Sequence, residues 1–132
     1  NPSTSFVERS LGADNMFNLF GNAENRTAEM VRAGLADGSV VLVDVREVAE
    51  FNSERINGAI NMPLSRLDPR ELARTVEASK VVVQCQSGMR SMKALKACRA
   101  AGVPVSGNLG GGLMAWKAAG FETVRGPSAS KR

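Results

Sequence analysis

The sequence predicts an α/β domain, a central parallel β-sheet flanked by helices on both faces. Two observations carry this expectation. Val40-Val41-Leu42-Val43-Asp44-Val45 and Lys80-Val81-Val82-Val83-Gln84 are nearly continuous β-branched runs, the pattern of strands buried on both faces rather than the alternation of a half-exposed sheet. Segments of helical character lie between and after these runs, and parallel neighbours need crossover connections, which helices supply.

Residues 1–24 are rich in Asn, Ser and Gly around one apolar knot at Met16, Phe17, Leu19 and Phe20. They read as an extension able to dock onto the domain or to offer a partner-binding helix. From Thr27 the pattern turns helical, with Thr27 as N-cap, Met30, Val31 and Leu35 on one face and Gly38 beyond the end, so a helix is expected over 27–36. The first strong strand is 40–45 and the second 80–84. Shorter strands are expected at 59–62, ahead of Pro63, and at 103–108, with further helices at 69–77, 89–101 and 111–119. The domain is placed at 25–125, followed by a short polar tail, 126–132, expected to be mobile.

Composition bounds the function. A chain of 132 residues suits one domain, and its 43% hydrophobic and 23% charged content is ordinary for a globular protein. The apolar runs fall far short of the roughly 18 residues of a membrane span. Net charge is +4, but Lys and Arg are scattered, there is no Tyr and only one Trp, so small anions fit better than nucleic acid. Two cysteines thirteen positions apart match no metal spacing, and the chain has no His, the commonest zinc partner and general base. No charged segment followed by a long apolar stretch opens the chain, which gives a cytoplasmic expectation.

In open α/β sheets ligands bind beyond the carboxyl ends of the strands. Asp44-Val45-Arg46 leaves the first strong strand and Cys85-Gln86-Ser87-Gly88-Met89-Arg90 leaves the second. Cys85 follows a buried strand and precedes a helix beginning near Met89, with Gly88 freeing the turn. Such a loop can aim its backbone N–H groups at its own sulfur, an anion nest reinforced by the helix dipole, favouring thiolate over thiol. Ser87 and Ser91 can add hydroxyl hydrogen bonds. Arg90 can clamp an anionic substrate or pair with a carboxylate such as Asp44 to brace the loop. Asp44 itself is better explained as a brace than as a catalytic group, and Arg46 is assigned a supporting place beside it.

Cys85-Gln86-Ser87-Gly88-Met89-Arg90-Ser91 resembles the CxxGxRS active loop of single-domain rhodaneses. Val41-Leu42-Val43-Asp44-Val45-Arg46-Glu47 resembles the family's VDVRE strand end, and Glu50-Phe51 falls where the family often has EF. Gly58-Ala59-Ile60-Asn61 matches its GAxN segment. Asn108-Leu109 with Gly111-Gly112-Leu113-Met114-Ala115-Trp116 resembles its NLxGGxxAW ending, so the likeness runs over 26–124. Departures occur at Arg55 and Asn57, where the family commonly has His and Pro, and at Gly110, where Glu is usual. Arg55 could place positive charge near the site mouth.

The resemblance implies a rhodanese-like α/β fold and a sulfurtransferase that uses no cofactor or metal. Cys85 attacks the outer sulfur of a small anionic donor such as thiosulfate or a persulfide, and a thiol or cyanide acceptor then takes that sulfur from the Cys85 persulfide. Gln86, Ser87, Gly88, Met89, Arg90 and Ser91 form the anion-binding loop. Two other readings compete: a persulfide carrier or binding module for one protein partner, and a cysteine-dependent phosphatase or arsenate reductase. The latter needs five residues between Cys and Arg to surround an oxyanion, whereas four intervene here. Cys98 and Trp116 are expected in the core and Gly110 to Gly112 at a close helix packing, with Lys93, Lys96 and Arg99 on a solvated face.

Overall fold

A computed structural model describes residues 24–127. The segment 1–23 and the tail 128–132 lie outside the described residues, and with them nearly all of the expected extension and most of the expected tail. The centre is a five-stranded sheet in which every pairing is parallel. Its strands are β1 (Asn25–Arg26), β2 (Val41–Asp44), β4 (Ile60–Asn61), β5 (Val81–Gln84) and β6 (Gly107–Leu109), in the order β1-β6-β5-β2-β4. Two short strands, β3 (Glu54–Arg55) and β7 (Val124–Arg125), form a separate antiparallel pair.

The helices cover both faces, because successive residues of a buried strand point to opposite sides. Val43, Val81 and Val83 face one layer with Leu72 of α3 (Pro69–Thr75) and Ala94, Leu95 and Cys98 of α4 (Met89–Ala100). Leu42 and Val82 face the other, with Ala28 and Val31 of α1 (Ala28–Asp37) and Leu113 and Trp116 of α5 (Gly112–Ala118). The start of α1 is capped as expected: the Thr27 hydroxyl accepts the Met30 N–H at 3.1 Å, and Gly38 closes the helix with φ 83°. Cys98 and Trp116 are core residues, and the indole N–H of Trp116 donates to the Glu122 carbonyl at 2.8 Å.

Two expectations need correction. The strand expected over 103–108 is only Gly107–Leu109, since Pro104 has no N–H to offer a ladder and the Val105 N–H turns back to the Val103 carbonyl at 2.9 Å. The strand expected at 59–62 shortens to Ile60–Asn61. The stretch between β2 and β3, for which no element was expected, holds a helix, α2 (Val48–Ser53), started by a reciprocal capping box between Glu47 and Glu50.

The pairing of β2 with β5 positions the site. Val41 lies opposite Val81 and Asp44 opposite Gln84, so both strands end at the same edge. Val45-Arg46 and Cys85-Gln86 therefore leave the sheet side by side, at the edge where such sheets bind ligands.

Candidate active site

Cys85 is 1% exposed, and its sulfur sits inside the turn between β5 and α4. Sγ accepts the Gly88 N–H at 3.1 Å, the Ser91 N–H at 3.4 Å and the Ser91 hydroxyl at 3.4 Å. Gly88 stands at φ 110°, a left-handed conformation that glycine adopts without steric cost, and this turns its N–H inward. Burial is the largest influence on the thiol and opposes ionisation. Hydrogen bonds from the Ser91 hydroxyl and from the Ser91, Gly88 and Ser87 N–H groups outweigh it together, holding the Cys85 pKa below its ordinary value.

Helix α5 shapes this cup from behind. The Cys85 carbonyl accepts the Leu113 N–H at 2.9 Å and the Gln84 side-chain amide at 2.9 Å, and the Gln86 carbonyl accepts the Met114 N–H at 3.1 Å. A trans peptide carries its C=O and N–H on opposite sides. The Gln86 carbonyl drawn toward α5 therefore turns the following Ser87 N–H toward the sulfur. The approach is close enough that a Cβ built on Gly112 would lie 2.3 Å from the Cys85 oxygen, which accounts for the glycines expected to serve close packing here.

The two arginines of the site are both committed to carboxylates. Arg90 forms a bidentate pair with Glu50 at 2.8 and 2.9 Å rather than with Asp44. Glu50 is held at about 2, first by the hydrogen bond from Arg90. Asp44 is taken by Arg46, whose backbone N–H, Nε and Nη2 all donate to its carboxylate at 2.9–3.1 Å. Both partners are buried, and Arg46 reaches onward to the Glu54 carbonyl at 2.6 Å and the Gln86 Oε1 at 3.3 Å. The brace from β2 to the cysteine loop thus runs through Arg46 and Gln86, with Asp44 anchoring Arg46.

Ser87 and Met89 are exposed, Met89 to 75%, at the outer rim of the loop. Arg55 donates to the Phe51 and Gly126 carbonyls and stacks on the Phe51 ring at 5.2 Å, so its guanidinium ties β3 to the chain after β7. Two site residues escaped the loop motif. Glu50 was visible only as a short acidic-aromatic pair, with nothing local to link it to Arg90. Asn108, 2% exposed, accepts the Ser91 hydroxyl through Oδ1 and donates through Nδ2 to Asn25 Oδ1 at 3.0 Å. A hydroxyl has one proton, so Ser91 shares it among Cys85 Sγ, Asn108 Oδ1 and the Gly88 carbonyl at 3.2 Å.

The centre of the site is thus a cysteine whose sulfur is cradled between strand and helix at the carboxyl edge of a parallel sheet. The chain belongs to the rhodanese-like domain family, whose model matches residues 27–119. It is 49% identical over 87 residues to an uncharacterized protein of Synechocystis sp., covering 66% of this chain and 48% of that one. A protein named sulfurtransferase in Allochromatium vinosum is 34% identical over 98 residues, 74% of this chain and 91% of that one. Among solved structures, thiosulfate sulfurtransferase from Pseudomonas aeruginosa superimposes with a TM-score of 0.72 at 25% identity, over 86% of this chain and 22% of that one. The chain spans about half the length of the Synechocystis relative and a fifth of a Mycobacterium tuberculosis relative named as a probable adenylyltransferase/sulfurtransferase. Among the described residues no helix is long and apolar enough to cross a membrane.

Proposed function

We propose that this domain is a sulfurtransferase that carries a sulfane sulfur on Cys85 and passes it from a small anionic donor such as thiosulfate to a thiol or cyanide. The observation that carries this reading is the set of three donors converging on one buried sulfur atom. The Cys85 thiolate attacks the outer sulfur of thiosulfate. The S–S bond of the donor breaks, and sulfite leaves with its electron pair. The acceptor thiolate then attacks the outer sulfur of the persulfide, and the Cys85 thiolate is the leaving group. A covalent intermediate splits one transfer into two, and the same N–H and O–H donors stabilise charge on Sγ before the first step and after the second.

The position of Arg90 favours this chemistry over phosphoryl transfer. An oxyanion-binding loop needs its arginine facing the anion, and here the guanidinium is engaged by both oxygens of Glu50. Intact mass before and after thiosulfate tests the proposal. Wild type is expected to gain one sulfur atom that cyanide removes, and Cys85→Ser to gain none while remaining folded. A sulfur gain that survives in Cys85→Ser would remove Cys85 from the chemistry. No gain in wild type would refute thiosulfate as donor.

A further inference from the structure

The Ser91 hydroxyl that reaches Cys85 Sγ at 3.4 Å is backed by two asparagines in series. Asn108 Oδ1 accepts the Ser91 proton, and Asn108 Nδ2 donates to Asn25 Oδ1 at 3.0 Å. The two asparagines are register partners of β6 and β1, and the Asn108 N–H donates to the Glu24 carbonyl at 2.9 Å. Asn108 is 2% exposed, whereas Asn25 is half-buried on the wall of an open cavity. The Asn25 side chain rests against Gly110, a position where the chain departs from the family pattern. A Cβ on Gly110 would lie 3.3 Å from Asn25 Cβ and Cγ, so glycine leaves the amide its room. Ionisation of the sulfur sets this series in conflict. A thiolate draws the Ser91 proton, a hydroxyl has only one, and a carbonyl oxygen has none. With that proton on Sγ, Ser91 Oγ and Asn108 Oδ1 would face each other through lone pairs alone. A carboxamide resolves the conflict by turning, because a half-rotation exchanges its oxygen and NH2 in nearly the same volume. Nδ2 then donates to Ser91 Oγ, Ser91 donates to Sγ, and Oδ1 faces Asn25. The Asn25 amide, open to water on one side, turns its own NH2 inward, and every buried group stays paired.

We infer that Asn108 is a positioning residue for Cys85: its carboxamide, seated by Asn25, takes the Ser91 proton from the sulfur in the thiol and returns it in the thiolate. Residue type supports this role, since an aspartate there could only accept and a lysine only donate, whereas an amide does either. The relay stands on the geometry of four side chains; its part in catalysis rests on the sulfur-transfer reading, which it deepens. On that reading Ser91 donates to Asn108 while Sγ is held in the persulfide bond. It donates to Sγ when that bond breaks and the electron pair returns to Cys85. The charged side chains around the loop are Arg90 of α4 with Glu50 of α2, Arg46 with Asp44 at the end of β2, and Lys93 on α4. On the strand side, Glu24 and Arg26 flank Asn25, and Glu24 pairs with Arg99.

The test reads the pH profile of iodoacetamide alkylation on the peptide that contains Cys85. Wild type, Asn25→Asp and Asn25→Ala are compared, each with Ser91 intact and in the Ser91→Ala background, so that all other charged groups are common to every variant. Asn25 is the site of change because its half-exposed side chain can be replaced without burying a charge. A carboxylate there only accepts, so it holds Asn108 with Nδ2 outward and keeps the Ser91 proton from the sulfur. Withholding one hydrogen bond from the thiolate should move the Asn25→Asp midpoint up by roughly half to one pH unit with Ser91 present. In Ser91→Ala the added charge acts through space alone, so the shift should be clearly smaller. Asn25→Ala leaves Asn108 Nδ2 to water and its rotation free, so its profile should stay near wild type. Equal Asn25→Asp shifts in the two backgrounds, or no shift in either, overturn the relay. So does a shift from Asn25→Ala as large as that from Asn25→Asp, which would mark Asn25 as merely structural. Alkylation needs no sulfur donor, so the two readings fail separately. The expected shifts in a protein that takes up no sulfur would retain the relay and discard the sulfur-transfer reading, and sulfur uptake without them would do the reverse.

Discussion

Replacing Gly112 with alanine tests whether α5 shapes the sulfur cup, and Gly38→Ala supplies the control. Both glycines lie in the left-handed region, at φ 58° and 83°, where a side chain costs about 1–2 kcal/mol. A Cβ on Gly38 meets nothing within 4 Å, so its cost should stop there. A Cβ on Gly112 meets the Cys85 oxygen at 2.3 Å and Gln86 backbone atoms at 2.7 Å, overlap that backbone movement alone can relieve. Such overpacking adds about 1–3 kcal/mol, giving about 2–5 kcal/mol for Gly112→Ala. Retreat of the loop would also stretch the Leu113-to-Cys85 and Met114-to-Gln86 hydrogen bonds and turn the inward N–H groups off the sulfur. Displacements of this size slow catalysis by roughly tenfold to a hundredfold. Urea unfolding followed by the fluorescence of Trp116 gives the stability difference, and sulfur uptake by the folded variant gives the functional one. Equal destabilisation of the two variants, or wild-type sulfur uptake by Gly112→Ala, would refute the claim that α5 orients the loop.

Two further substitutions separate the contributions around the sulfur. Ser91→Ala removes the hydroxyl donor to Sγ, so the Cys85 pKa should rise and the pH profile of iodoacetamide alkylation move to higher pH; an unmoved profile would mean that the Ser91 proton stays on Asn108. Glu50→Gln uncouples Arg90. Because the folded pKa of Glu50, about 2, lies below its ordinary 4.5, the pair's stabilisation is fully present above about 4.5 and fades as pH falls toward 2. Both side chains are 38% exposed, so solvent screening limits the effect to about 1 kcal/mol or less. Urea midpoints of wild type and Glu50→Gln should differ at pH 7 and draw together as pH falls from about 4.5 toward 2, and a difference constant across that range would assign the loss to something other than the ion pair.

The parts of the fold that were legible are those whose cause is local. The β-branched runs announce β2 and β5, Thr27 and Gly38 bracket α1, and the contiguous loop from Cys85 to Ser91 displays its whole nest in seven consecutive residues. What was hidden depends on distant partners. Strands β1, β3 and β7 are two residues long and exist because Asn25 meets Asn108 and Arg55 meets Val124. Six-residue α2 is too short to show a helical period. The partner of Arg90 followed the same rule: Asp44 looked available, but Arg46, two residues away, wraps back onto it and leaves Glu50, forty residues before Arg90, to take the second guanidinium.

Under the proposed sulfur transfer, that allocation of charge bears on how well the sulfur can exchange. A guanidinium against Sγ would favour the thiolate more strongly than neutral donors do, but thiolate nucleophilicity falls as its pKa falls, and exchange is fastest when the attacking thiol titrates near ambient pH. Here the cations nearest the loop are bound to Asp44 and Glu50, and the hydrogen bonds the sulfur accepts come from N–H and O–H dipoles while its burial pulls the other way. The opposed influences leave the pKa lowered without a full charge at the nucleophile. The same arrangement suits Cys85 as a leaving group in the second step, because the donors that stabilise the attacking thiolate stabilise the departing one equally.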